Sequence, residues 1–130
     1  MKILAIGAHP DDIEIFMYGF VSSCKKRGDK IFLATATDGA AGNIKLDNNL
    51  SAIRKKESLK ALSKLGNPSF LNLPDGNLSY FEKSKTVIHD YIIDINPDLI
   101  VTHSPEDYHP DHRSLSKIVS DIAGFKCPLI

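Results

Sequence analysis

The sequence predicts an α/β fold in which a mostly parallel sheet lies between two layers of helices. Three observations carry that prediction. Four short apolar runs alternate with longer segments of helical periodicity, glycines stand where helices should stop, and the runs are nearly continuous, as strands covered on both faces require. The runs are Lys2–Gly7 (KILAIG), Lys30–Thr37 (KIFLATAT), Ser69–Leu73 (SFLNL) and Asp98–His103 (DLIVTH). Each is rich in Ile, Leu, Val, Phe or Thr and is bounded by Gly, Pro, Asp or Asn. Between and after them, Asp12–Arg27, Leu50–Leu65, Tyr80–Ile95 and a segment from about Asp111 to Ala123 fit helices. In the second of these, Ile53, Leu59, Leu62 and Leu65 fall near helical spacing, while Arg54, Lys55, Lys56, Glu57 and Lys60 supply a polar face. Gly28 and Gly66 are the stop signals. The order β-α-β-α-β-α-β-α implies right-handed crossovers with helices on both faces, a Rossmann-like three-layer α/β/α architecture.

Length and charge narrow the function classes. At 130 residues, 42% hydrophobic and 25% charged, residues 1–130 read as a single soluble α/β domain. Sixteen Lys and Arg balance sixteen Asp and Glu, so no global field draws in nucleic acid or an anionic membrane surface. The apolar stretches are strand-sized, which predicts no transmembrane segment, and MKILAIGAHPDD reaches charged residues too early for a secretory signal. Cys24 and Cys127 form no CxxC and read as two free thiols. The expected location is cytoplasmic.

In parallel sheets of this kind function collects at the carboxyl ends of the strands. That rule selects four loops: Ala8–Asp12, Asp38–Asn43, Pro74–Asn77 and His103–His112. The densest polar constellation on this rim is His9, Asp11 and Asp12 after the first strand, with His109, Asp111 and His112 after the fourth. Imidazole and carboxylate are the ligands that Zn²⁺ takes when no thiolate is on offer, and two histidines with one carboxylate leave a position open for water. Pro10 and Pro110 stiffen both loops where ligands must be aimed. If His9 and His112 bind a metal with one aspartate of the pair, the other is left to act as general base. His109 suits stabilisation or protonation of a tetrahedral intermediate, and Asp111 suits orientation of a ligand imidazole. Against this, Asp-Asp after a strand and Asp-His before a helix are also ordinary helix starts. The recurrence of His-Pro-Asp at the ends of two strands favours a joint site.

Ala8-His9-Pro10-Asp11-Asp12 and His109-Pro110-Asp111-His112 resemble the motifs of the PIG-L/LmbE-like zinc-dependent N-acetylglucosaminyl deacetylases. Weaker landmarks follow in the same order: Thr37-Asp38-Gly39 with Gly42, Arg54 and Glu57 before Leu65-Gly66, and Asp75-Gly76. The resemblance implies His9, Asp12 and His112 as metal ligands, Asp11 as general base and His109 as the group that stabilises the oxyanion or acts as acid. It further implies Arg54, and with less specificity Asp75, as substrate contacts. The implied reaction is hydrolysis of the acetamide of an N-acetylated amino sugar, an N-acetylglucosamine conjugate, by metal-activated water, with Zn²⁺ as cofactor or Fe²⁺ in its place. Two departures stand out. Of the family's glycine-rich run after the first motif only Gly19 remains, so the first helix is expected to pack differently. The chain also reads as shortened at its C-terminus relative to the family domain, which predicts an apolar sheet edge at the fourth strand, covered by a second copy or a partner chain.

Two other classes compete. A nucleotide-binding module shares the scaffold but lacks GxGxxG and GxxxxGK[ST], and the first loop offers carboxylates where a phosphate needs open N–H groups. A non-catalytic fragment that keeps its metal, or needs a partner, would pass a metal assay and fail a hydrolytic one. No GxSxG is present for serine-hydrolase chemistry.

Overall fold

The computed structural model describes residues 1–42, 49–124 and 127–130; Asn43, at the end of the predicted second loop, lies outside them. The elements run β1 (Lys2–Gly7), a π-helical segment (Ile13–Met17), α1 (Tyr18–Lys26), β2 (Lys30–Thr37), α2 (Leu50–Leu62), β3 (Ser69–Leu73), α3 (Ser84–Ile95), β4 (Leu99–Val101) and α4 (Pro110–Ala123). The strands form one parallel sheet in the order β3-β2-β1-β4, so all four carboxyl ends open on one rim.

Alternation along the strands sends side chains to both faces and builds two cores. Leu4, Ile6, Ala34, Ala36 and Ile100 pack with Ile88 and Ile92 of α3 and Leu115 and Val119 of α4. Ile3, Ala5, Leu33, Leu99 and Val101 pack on the opposite face with Ile13, Met17, Val21 and Leu62, from the π-helical segment, α1 and α2. This is the three-layer arrangement the periodicity predicts. Among the described residues no helix is long and apolar enough to cross a membrane.

Element boundaries differ from expectation for local reasons. The first predicted helix divides, because Ile13–Met17 is wound as a π-helical turn before α1 begins at Tyr18. α2 closes early: the N–H groups of Leu65 and Gly66 both return to Leu62 O, at 2.7 and 3.0 Å, which winds the chain out of the helix. α3 starts at Ser84 because the N–H groups of Tyr80 and Phe81 turn back on Asn77 O, both at 3.0 Å. β4 is shorter than predicted, pairing Leu99–Val101 with Ile3–Ala5, and His103 has left the ladder. The register between β2 and β3 shifts between Thr35↔Phe70 and Thr37↔Leu73, where Asn72 at φ 56° takes up the extra residue.

The expectation of a bare edge at β4 is corrected. Leu129 pairs in parallel with Ile100, Ile100 N donates to Pro128 O at 3.1 Å, and Ile130 N donates to Ile100 O at 2.9 Å. Residues 128–130 therefore occupy the hydrogen-bonding groups that β4 would otherwise expose.

Candidate active site

The first loop is shaped by one close approach. A Cβ on Gly7 would lie 2.8 Å from Asp12 Cβ, so only glycine lets the chain fold back over the end of β1 and seat Asp12 there. Asp12 Oδ2 then accepts the His9 N–H at 2.7 Å. The turn is completed by Asp11 at φ 125°, a region an L residue enters only at a cost, while its carbonyl accepts Ile15 N–H at 2.9 Å to open the π-helical segment. Such strain and such π-turns concentrate at functional positions. The result leaves the Asp11 side chain 53% exposed and Asp12 buried beside it, so adjacent carboxylates face different surroundings.

Arg54 of α2 fixes this loop from the other side. Its guanidinium donates to Pro10 O at 2.8 Å and to Gly39 O at 3.2 Å, and stands 3.1 Å from Asp11 Oδ2. It passes close over Gly42, where a Cβ would meet Nη1 at 2.8 Å.

The fourth-strand loop supplies the opposing groups. Pro110 sits in the first turn of α4, His109 Nδ1 accepts Asp111 N–H at 3.2 Å as its cap, and His112 follows in the same turn. His9 Nδ1 lies 3.2 Å from His112 Nε2, and Asp12 stands 3.3 Å from His112 Nε2 through Oδ1 and 3.4 Å from His9 Nδ1 through Oδ2. Four ligands at 2.0–2.1 Å around a tetrahedral Zn²⁺ are separated by about 3.3 Å, so each of these pairs stands at ligand-to-ligand distance, with Asp12 offering Oδ1 toward His112 and Oδ2 toward His9. Their other atoms are engaged in a compatible way. His9 Nε2 faces Asp75 Oδ1 at 3.1 Å and Asp111 Oδ2 at 3.2 Å, which places a ring proton on Nε2 and turns Nδ1 toward His112 and Asp12. His112 Nδ1 stands 3.1 Å from Asp107 Oδ1 without hydrogen-bond alignment, a buried ring nitrogen on the side away from Nε2.

Charge in the cluster is unbalanced toward anion. Burial works against a protonated His9, yet Asp111, Asp12 and Asp75 outweigh it and push its pKa up to about 11. Burial likewise opposes ionisation of Asp12, but His103, His9 and the His9 N–H hold its carboxyl well below the usual range. Asp111 is lowered against burial by His9 and by the N–H groups of Leu78 and Gly76, and Asp75 chiefly by His9. His112 is pushed down, first by burial and then by His103, over the pull of Asp12 and Asp107. Three buried carboxylates around one imidazole call for a positive charge, which a proton or a divalent cation can supply.

These groups form the floor of a cleft of about 250 Å³, walled by Asp11, Arg54, His109, Ile15, Phe16 and Tyr108. His9, Asp11, Asp12, Arg54, His109 and His112 therefore meet in one cleft. Asp111 and Asp75 lie behind it. Asp75 was expected to reach substrate, but its side chain is 7% exposed, with Oδ1 on His9 and Oδ2 accepting Ala41 N–H at 2.9 Å. Sequence reasoning assigned no role to His103 and Asp107. His103 carries no His-Pro-Asp frame and ends an apolar run; the sole signal for Asp107 is its place two residues before His109, whose N–H it accepts at 2.9 Å.

Comparison with known proteins shows the family and the fold. The PIG-L sequence family, described as GlcNAc-PI de-N-acetylase, matches residues 4–123. The chain is 27% identical over 152 aligned positions to 1D-myo-inositol 2-acetamido-2-deoxy-alpha-D-glucopyranoside deacetylase of Corynebacterium diphtheriae, covering 94% of this chain and 52% of that protein. Its structure is similar to N,N'-diacetylchitobiose deacetylase from Pyrococcus horikoshii, with TM-score 0.85, 28% identity, and coverage of 95% of this chain and 49% of the other. It is also similar in fold alone to GalB, the 4-carboxy-2-hydroxymuconate hydratase of Pseudomonas putida, at TM-score 0.82 and 18% identity, covering 97% of this chain and 59% of that one. The chain thus spans about half the length of the deacetylases it matches. With both His-Pro-Asp motifs inside the matched residues and converging on one cleft, the chain belongs to the PIG-L family.

Proposed function

We propose that this chain acts as a hydrolase that removes the acetyl group from an N-acetylated amino sugar, an N-acetylglucosamine conjugate, with a divalent cation held by His9, Asp12 and His112. The observation that carries the reading is the mutual approach of these three residues, His9 Nδ1 to His112 Nε2 at 3.2 Å with Asp12 reaching His112 through Oδ1 at 3.3 Å and His9 through Oδ2 at 3.4 Å, in a cleft that also holds Asp11, His109 and Arg54. The deacetylase activities for which the Corynebacterium and Pyrococcus relatives are named support the substrate class. The fold shared with a hydratase makes the site, and not the fold, the argument for hydrolysis.

A cation in this position supplies Lewis acidity to the acetamide carbonyl and to water, and a site of two histidines and one carboxylate suits Zn²⁺ and also Fe²⁺. Asp11, the exposed carboxylate of the pair, acts as general base. Arg54 holds Asp11 at 3.1 Å and offers the cleft its cationic group for substrate. His109 keeps its proton on Nε2, because Nδ1 accepts Asp111 N–H, and that nitrogen is free to donate to the developing oxyanion or the leaving amine. Asp111 and Asp75 orient His9 through Nε2.

Elemental analysis of purified wild-type, His112→Ala and Asp12→Ala protein tests the ligand set. About one Zn²⁺ or Fe²⁺ per wild-type chain, lost in both variants, supports it. A folded wild-type chain with no metal after supplementation removes the reading and leaves a scaffold without catalytic metal as the better account.

A further inference from the structure

We propose that His103 is a positioning residue for the cation site, holding the His112 ring and the first-strand loop in the geometry the ligands need. The inference rests on the reading of His9, Asp12 and His112 as ligands. His103 stands just past β4, anchored by Thr102 Oγ1 donating to Ile6 O at 3.0 Å, and its side chain is 3% exposed. Its Nε2 stands 3.0 Å from Ala8 N and 3.1 Å from Asp12 Oδ2, accepting the Ala8 N–H in one tautomer and donating to the carboxylate in the other, so one nitrogen serves either end of the loop that carries His9 and Asp12. Its ring lies flat against His112, centroids 3.7 Å apart and planes 9° from parallel.

Of the groupings close enough to share an ion, His9, His109 and His112 leave His103 outside, whereas Asp12, His103 and His112 would make it a ligand. The stacking argues against the latter. An imidazole lone pair lies in the ring plane, and two nearly parallel rings in face contact have lone pairs in separate planes, so one cation cannot sit in both. His112 shares its cation with His9 instead, whose ring is tilted 44° from it. His103 then serves as a flat wall that stops His112 rotating and as the polar contact that pins the first-strand loop. Loss of either contact leaves the ligands present and less well aimed. Supporting groups of this kind are typically worth about 10- to 100-fold in metal affinity.

The test is Zn²⁺ affinity by chelator competition on wild-type chain, His103→Phe and His103→Gln, with folding checked by circular dichroism. Phenylalanine keeps a flat face and removes the acceptor; glutamine keeps an acceptor and removes the ring. Each folded variant is expected to bind one Zn²⁺ about 10- to 100-fold more weakly than wild type. The visible spectrum with Co²⁺ in place of Zn²⁺ should keep its wild-type band positions, because the ligand set is unchanged. Wild-type affinity in whichever variant folds overturns the proposal. So does a shift of the Co²⁺ band positions in a folded variant at saturating metal, which would make His103 a ligand. A wild-type chain that binds no Zn²⁺ is a different failure, overturning the ligand assignment and this inference with it.

Discussion

Replacing Asp111 by alanine is the most informative perturbation of the scaffold behind the cleft. Asp111 is 1% exposed at the start of α4, where its carboxylate accepts Gly76 N–H at 2.7 Å, accepts Leu78 N–H at 3.1 Å and meets His9 Nε2 at 3.2 Å. It therefore ties α4 to the loop after β3 and to the first-strand loop at once. In Asp111→Ala the buried Leu78 N–H is left without a partner, at about 1–3 kcal/mol. Gly76 sits in an exposed turn and can turn its N–H to water, so its loss adds about 1 kcal/mol or less. Removing an acidic group from the first turn of α4 adds about 0.3–1 kcal/mol more. A destabilisation of about 2–4 kcal/mol is expected, a large part of the 5–15 kcal/mol typical of a domain. Urea unfolding followed by circular dichroism reads it as a lower midpoint at unchanged slope. Asp111→Asn, which keeps one acceptor oxygen, should recover part of the loss. A change below about 0.5 kcal/mol in Asp111→Ala would refute the reasoning, because it would mean that the two N–H groups do not depend on this carboxylate.

Other predictions follow from the same geometry. Gly7→Ala places a Cβ 2.8 Å from Asp12 Cβ, so it should destabilise by about 1–3 kcal/mol and weaken Zn²⁺ binding, both measurable on one preparation. Asp11→Asn should lower turnover by about 10²- to 10⁴-fold while leaving metal content near wild type, because Asp11 faces the cleft and is not among the proposed ligands. In metal-free protein the raised His9 pKa makes its contribution to stability full below about 6.5 and lost as pH rises toward about 11, a trend visible in thermal melts across that window. For the same reason Zn²⁺ uptake at pH 7.5 should release about one proton, read by calorimetry in buffers of different ionisation enthalpy; uptake with no proton release would contradict a protonated His9.

Much of this was legible in the sequence because strands and helices of an α/β domain announce themselves through period and punctuation. Three of four strands, Lys2–Gly7, Lys30–Thr37 and Ser69–Leu73, match their predicted limits, since apolar runs between Gly, Pro and Asp leave little choice of boundary. The fourth was overextended because His103 continues an apolar run in sequence while its ring has turned to Ala8 and His112. The π-turn at Ile13–Met17 was invisible because it follows from the backbone of Asp11 at φ 125°, which no residue pattern encodes. The meeting of two His-Pro-Asp segments could be anticipated from topology, since β1 and β4 are neighbours in the sheet. Asp111, which orients His9 from behind them, is named from its place beside the second motif, but the parts played by Asp75 and Asp107 could not be read in the same way. Asp75 and Asp107 each face one imidazole nitrogen and accept one backbone N–H, and nothing in one sequence distinguishes such a carboxylate from a solvated one.

The central claim is most directly tested by acetate release. Metal-loaded chain is incubated with N-acetylglucosamine conjugates, and acetate and free amine are quantified against His112→Ala prepared in the same way. The account predicts acetate and amine in equal amounts from the wild-type chain and neither above background from the variant. Full metal occupancy with no acetate from any conjugate would contradict it, and would leave a metal-binding domain without hydrolytic activity of its own.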